Sequence, residues 1–210
     1  MYLIDKTYFI KELNVPNTEE HNSDASIQLD MSIDRYARQL LQSVLGATLF
    51  TELDSNITAG ELILLAPQKW LDLVNGATYT LDGKSYVWQG LKFEQGLYKV
   101  SILADYTYLN HYSQDINTML GQVILNAKNS VNVSDVPHLT NIWNEFILKY
   151  QGTSNSQPKQ YFHNGVLFTD YYGFDNNGYV SLLQFLTDNK EVYQGFTAPE
   201  LAFKNQFGIW

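Results

Sequence analysis

The sequence predicts a mainly α fold: a helical bundle with one β-hairpin insertion and an extended C-terminal arm. Three stretches carry that reading. Leu29, Ile33, Tyr36, Ala37, Leu40 and Val44 recur at intervals of three and four, as do Leu139, Ile142, Trp143, Phe146, Ile147 and Tyr150. That period lays apolar side chains along one face of an α-helix. The third stretch, 90–112, is the longest with few turn residues. In it Phe93, Leu97, Val100, Ala104 and Tyr108 fall at helical spacing, and Leu103, Tyr106 and Leu109 widen the stripe. So wide a stripe implies packing on more than one side, which makes 90–112 the expected central helix. Gly90 marks its start, and Gly96 weakens it, since glycine costs about 1 kcal/mol against alanine in a helix interior.

Taken in order, Asp5 is placed to cap a short helix over 6–13, with Tyr8, Phe9 and Leu13 as its apolar side. Residues 14–24 read as a polar loop. The first long helix begins near Ser26 and stops at Gly46, after which Leu49, Phe50 and Leu53 continue as a further turn or short helix. Pro67 opens the next helix in its favoured first turn; Trp70, Leu71 and Val74 form its inner face, and Asn75-Gly76 ends it. Thr78, Thr80, Tyr86 and Trp88 favour strands on either side of Asp82-Gly83, a dipeptide suited to a two-residue hairpin turn. Residues 114–133 leave a loop with an extended piece, which is preferred, or the start of another helix.

Ser134 or Asp135 caps the helix carrying 139–150, with Pro137 in its first turn. Beyond Gly152, TSNSQPKQ is a loop, VLFTDYYGF is aromatic and strand-like, and 179–188 is a short helix. Residues 195–210 have too little apolar periodicity to fold alone and should lie along something. The expected division is therefore 1–151, a helical core with a hairpin near 78–88, and 152–210, an aromatic-rich arm with one short helix.

Composition narrows the function classes. With 210 residues the chain can bury a substantial core. Its most apolar run, 62–66, is far shorter than the roughly 18 residues of a membrane span. Charges interrupt the first residues before a signal-peptide region forms, so synthesis in a host cytoplasm is expected. The absence of cysteine excludes disulfides, thiolate metal sites and cysteine nucleophiles. A net charge of −9 without any basic cluster argues against a grip on nucleic acid phosphates. Low charge combined with 15 tyrosines, 11 phenylalanines and four tryptophans favours a surface that meets other proteins.

Each chemical motif lacks an essential member. Gly83-Lys84-Ser85 copies the end of a phosphate-binding loop, but Thr78 stands where the first glycine is needed. Asp175, Asn177 and Gly178 resemble part of a calcium loop whose first and last ligand positions are Gly173 and Gln184, neither a carboxylate. His21, His111, His138 and His163 are scattered, and none has a second histidine at i+3 or i+4. Glu19 and Glu20 lie in a polar loop where solvation, not a raised pKa, is expected. No catalytic residue, cofactor or metal is expected, and the chain is not read as an enzyme.

Three stretches resemble a known family. IDRYARQLLQSVLGATLFTEL at 33–53, WQGLKFEQGLYKVSILADYTYL at 88–109 and NQFGI at 205–209 are similar to the head-to-tail connector (adaptor) proteins of tailed bacteriophages, especially those of crAss-like and other Bacteroides phages. They are packing patterns, not chemical signatures. The hairpin before Gly90 and the long arm are additions to the minimal connector.

The resemblance implies a ring, typically a dodecamer, below the portal in the virion neck, extending the DNA channel and joining head to tail. Its implied partners are further copies of itself, the portal protein and other neck or tail rings, with DNA only in transit and no membrane. The residues fit such a role independently: an acidic channel does not hold DNA, and a ring needs two different patches that meet. Phe196, Phe203, Phe207, Ile209 and Trp210, with Tyr171 and Tyr172, are the expected partner-binding residues. The arm 195–210 is expected to dock on a neighbouring subunit or the portal while 26–151 hold the fold; the other outcome is that it folds back onto its own helices. The alternative function is a carbohydrate-binding or tail-fibre-associated module, which calls for an all-β architecture.

Overall fold

A computed structural model describes residues 2–18, 23–96, 98–119, 136–152, 162–163, 166–167 and 179–202. Near the N-terminus, the expected helix over 6–13 is two separate 3-10 turns, Lys6–Tyr8 and Lys11–Leu13. Asp5 caps the first, accepting the Thr7 N–H at 2.8 Å. The long helix α1 (Asp24–Asp54) starts at Ser23, whose hydroxyl accepts the Ser26 N–H. Its buried face is the predicted stripe, from Leu29 and Ile33 through Leu40 to Val44, extended by Leu41 and Leu45.

At Gly46 the backbone leaves helical geometry, with φ 75° and ψ 166°. Two helical segments therefore meet at an elbow, as the glycine stop and the apolar turn after it predict. The second segment folds back: the Arg38 guanidinium meets the Asp54 carboxylate at 2.5 Å. Sixteen residues of straight helix would hold these two about 24 Å apart.

A small hairpin follows, β1 (Ile57–Thr58) against β2 (Glu61–Leu62), and then α2 (Gln68–Asn75). Pro67 precedes the first helical residue of α2, one position earlier than the sequence predicts. Trp70, Leu73 and Val74 are buried and Leu71 is half-buried. The predicted hairpin is present as β3 (Ala77–Leu81) and β4 (Lys84–Trp88), with Asp82 and Gly83 both at positive φ in the turn.

The expected central helix over 90–112 is corrected. Its first half is a hairpin, β5 (Lys92–Gln95) and β6 (Tyr98–Ser101), in which Phe93 lies opposite Val100 and Glu94 opposite Lys99. Only Ile102–Met119 is helical, α3. Gly96 sits in the turn at φ 63°, where a glycine is at home. The helix starts at 102 because Ser101 accepts the Leu103 N–H at 3.1 Å while donating to the Leu91 carbonyl at 2.8 Å. The spacing 93, 97, 100, 104 matches a helix by coincidence; the alternation 92–95 and 98–101 around a glycine is what the backbone follows. Helix α3 also takes up 114–119, where a loop was preferred, and 120–133 lies outside the described residues.

Helix α4 (Val136–Gln151) forms over the predicted stripe with Pro137 in its first turn, and the expected caps Ser134 and Asp135 lie outside the described residues. Two short strands, β7 (Phe162–His163) and β8 (Val166–Leu167), pair antiparallel. Helix α5 (Leu182–Asp188) is capped by Ser181, three residues after the predicted start at 179. Among the described residues the chain thus has five α-helices and four two-stranded antiparallel sheets. It mixes helix and hairpin where one hairpin in a helical bundle is predicted, and an all-β architecture is excluded.

Packing runs from α1 onto α3, from α3 onto α4 and from α4 onto α5. One apolar cluster joins them, and it draws on both ends of the chain: Tyr2, Leu3 and Ile4, then Val180, Leu182, Phe185, Leu186 and Tyr193. The fold is accordingly not held by 26–151 alone. Phe185 stacks on Trp88 with ring centroids 5.5 Å apart, so α5 covers the β3–β4 hairpin, and Tyr193 packs on Trp70 at 6.1 Å. The Val180 N–H donates to the Val87 carbonyl at 3.0 Å, tying the same region to the edge of β4.

The end of α2 and the end of β4 meet at a glycine crossing. The Leu73 carbonyl, left free by the end of its helix, accepts both the Leu91 N–H at 3.1 Å and the Trp88 indole N–H at 2.9 Å. A Cβ on Gly90, at φ 97°, would lie 2.6 Å from the Val74 carbonyl oxygen, and one on Gly76 would lie 2.7 Å from that of Trp88. Gly83, also at positive φ, has nothing within 4 Å. Gly90→Ala is therefore expected to destabilise the chain by more than about 2 kcal/mol, and Gly83→Ala by only about 1 kcal/mol, the conformational cost alone. Urea denaturation of the two variants checks the difference.

Candidate functional site

Of the expected partner-binding residues, Phe203, Phe207, Ile209, Trp210, Tyr171 and Tyr172 lie outside the described residues. Phe196 is half-buried and packs against the chain's own core. The part of the arm that the structure describes folds back. Thr197 donates its N–H to the Val44 carbonyl at 2.8 Å and its hydroxyl to the Ser43 carbonyl at 2.7 Å, capping the first segment of α1 at the elbow. Helix α4 then holds the strand of backbone that follows. The Tyr150 hydroxyl donates to the Pro199 carbonyl at 2.8 Å and the Trp143 indole to that of Ala202 at 2.9 Å. The Gln151 amide donates to the Leu201 carbonyl and accepts the Leu201 N–H. No sequence signal marks this strap, because α4 reads its main chain and not its side chains.

The titratable groups are structural in their geometry. Asp105 on α3 and Lys149 on α4 form an ion pair at 2.5 Å, with the residues only 3% and 8% exposed. Burial pushes the Asp105 carboxyl up and the Lys149 ammonium draws it back down. A substrate has no approach to either group. Tyr8 donates to Glu94 at 2.7 Å, and Lys99 lies 3.2 Å from the same carboxylate; these hydrogen bonds hold Glu94 below the usual carboxylate range. Tyr79 donates to Asp188 at 2.5 Å. Burial, then the hydrogen bond to a carboxylate, raises both tyrosines, so they stay neutral donors. His111, buried, shares a hydrogen bond with Ser32, while His138 shares one with the Glu12 carbonyl. Among the described residues no group of three His, Asp or Glu side chains is arranged to hold a metal ion.

What remains is an apolar surface. Leu64 and Leu65, between β2 and α2, are 96% and 92% exposed. Their loop is held from below: the Ile63 N–H donates to the Asn56 carbonyl at 2.9 Å and the Ala66 N–H to the Ile63 carbonyl at 3.0 Å. Ile63 packs against the core and Ala66 is buried. A second apolar strip, Ile27 and Met31 on the first turns of α1, is 48% and 68% exposed. Sequence reasoning weighed the run 62–66 only as a membrane span. Its signal was two adjacent leucines just before a helix-opening proline, with neither strand nor helix period to bury them.

The Asp105–Lys149 pair fastens α3 to α4, and its burial sets what its loss costs. Asp105→Asn leaves a buried ammonium without its carboxylate and is expected to cost about 3–5 kcal/mol. Asp105→Leu combined with Lys149→Met removes both charges and is expected to be near neutral or stabilising. Thermal and urea denaturation of the two variants test this; a loss below about 1 kcal/mol for Asp105→Asn would mean that the pair behaves as a solvated one.

Compared with protein-family models, with curated proteins and with solved structures, the chain finds no match.

Proposed function

We propose that the chain is a structural virion protein: a subunit of a ring below the portal in the neck of a tailed phage, extending the DNA channel and joining head to tail. The observation that carries the reading is the Leu64–Leu65 tip, two large apolar side chains set almost wholly in solvent by a loop whose own hydrogen bonds keep them there. Natural sequences seldom leave such groups wet without a partner, because covering each contributes about 1.5–3 kcal/mol. The connector resemblance of 33–53 and 88–109 supplies the kind of assembly, a helical connector bundle closed as a dodecamer. Its partners in this reading are copies of itself, the portal and the neighbouring neck or tail rings.

The charge balance supports the same role. With a net charge of −9 the wall of such a channel repels the phosphate backbone, so the genome slides and is not bound. No helix among the described residues is long and apolar enough to cross a membrane. The carbohydrate-binding alternative required an all-β chain, and α1, α3 and α4 are long helices.

Electron micrographs of the purified protein test the proposal. Closed rings of one size are expected, and they should not retain duplex DNA at about 150 mM salt, where contacts that depend on released counterions weaken. Single chains at every concentration, or submicromolar binding to duplex DNA, would overturn it.

A further inference from the structure

We infer that the strap 197–202 is exchanged between copies: in the assembly each chain lays its strap across the elbow and α4 of the next, in the seat that its own strap fills when the chain is alone. The inference rests on the ring reading and specifies the contact that joins one copy to another. The seat is shown with its occupant in place. The Ser43 and Val44 carbonyls accept the Thr197 hydroxyl and N–H, and Trp143, Tyr150 and Gln151 bind the main chain from Pro199 to Ala202. Phe196, Ala198 and Leu201 pack half-buried against the core. A second copy carries this same order of hydrogen-bonding and apolar groups, so every contact made within one chain is regained between two.

One turn decides which seat a strap takes. Tyr193 is 1% exposed and packs on Trp70 and Phe185, and its hydroxyl donates to the Lys69 carbonyl at 2.5 Å, so the chain is anchored up to that point. The Phe196 N–H then donates to the Tyr193 carbonyl at 3.3 Å across a turn that holds Gly195 at φ 87°. Opening this turn breaks one long hydrogen bond and releases the strap as a unit. Gln194, Gly195, Thr197, Pro199, Glu200 and Ala202 are exposed, so the release uncovers little apolar surface. A short hinge between two fixed segments is the kind that favours exchange. Four peptide units from Tyr193 to Thr197 reach at most about 14 Å, which places the neighbour's elbow close beside the first chain's Tyr193. Because strap and seat are different patches, passing the strap in one direction propagates, and it closes into a ring when the rotation between copies allows.

Natural cysteine is absent, so a chain carrying Ser43→Cys and Glu200→Cys, both at exposed positions near the contact, has only those two thiols. A short bismaleimide is expected to join them within one chain in dilute protein, where the strap is closed. In assembled protein that internal product should fall at least fivefold and give way to a ladder of linked chains. Ser43→Cys mixed with Glu200→Cys before assembly should link at least tenfold faster than Ser43→Cys mixed with Lys84→Cys. Gly195→Ala strains the closed turn and not an opened hinge, since its Cβ would meet nothing within 4 Å, and is expected to raise linking between copies about fivefold at equal concentration. An internal product that keeps its dilute yield in closed rings, or Gly195→Ala lowering the linking between copies, would overturn the exchange and keep the ring. Linked dimers without higher multimers would keep the exchange and overturn the ring, and chains that stay single at every concentration would overturn both.

Discussion

The elbow in α1 is the constraint on which the rest of the fold depends. Gly46 turns the backbone out of the helix, and the two segments fold together until Arg38 pairs with Asp54. The angle between them is filled from both ends of the chain. Tyr2 lies under the Arg38 guanidinium at 4.1 Å, and Thr197 caps the carbonyls of Ser43 and Val44. A side chain at 46 would be strained at φ 75° and would press on the Gly195 carbonyl and the Thr197 methyl, each 3.3 Å from its Cβ. One glycine thereby sets the path of the first helix and the place where the last described segment docks.

Much of this fold was legible where a single local cause decides it. The α1 and α4 stripes, the break at Gly46 and the Asp82-Gly83 turn each follow from side chains within a few positions of one another. Residues 92–101 were not legible because two periods competed, and the deciding facts were Gly96 in a turn and Ser101 reaching back to Leu91. Tyr2, Leu3 and Ile4 enter the core without any periodicity, since a segment so short has none to show. The same limit hid the candidate site. Exposure of Leu64 and Leu65 depends on Asn56 and Ile63 holding the loop, which is a tertiary fact, and the strap 197–202 is recognised through its main chain.

The fold and the proposed assembly are connected by what the core leaves over. Apolar residues from both ends are consumed internally: α5 covers Trp88, Tyr193 covers Trp70, and Phe196 packs inward. Aromatic richness, taken from sequence as surface, is thus partly core. Among the described residues the large apolar groups left in solvent are Ile27, Met31, Leu64, Leu65, Leu81 and Val192.

The claim that the strap 197–202 is part of the fold is tested most directly by two truncations measured side by side. A chain ending at Ala202 keeps the strap and should melt above one that lacks it. A chain ending at Gln194 loses the Thr197 cap and the bonds from Trp143, Tyr150 and Gln151, each contributing about 0.5–1.5 kcal/mol, and should melt several degrees lower. Equal melting of the chains ending at Ala202 and at Gln194 would contradict the account.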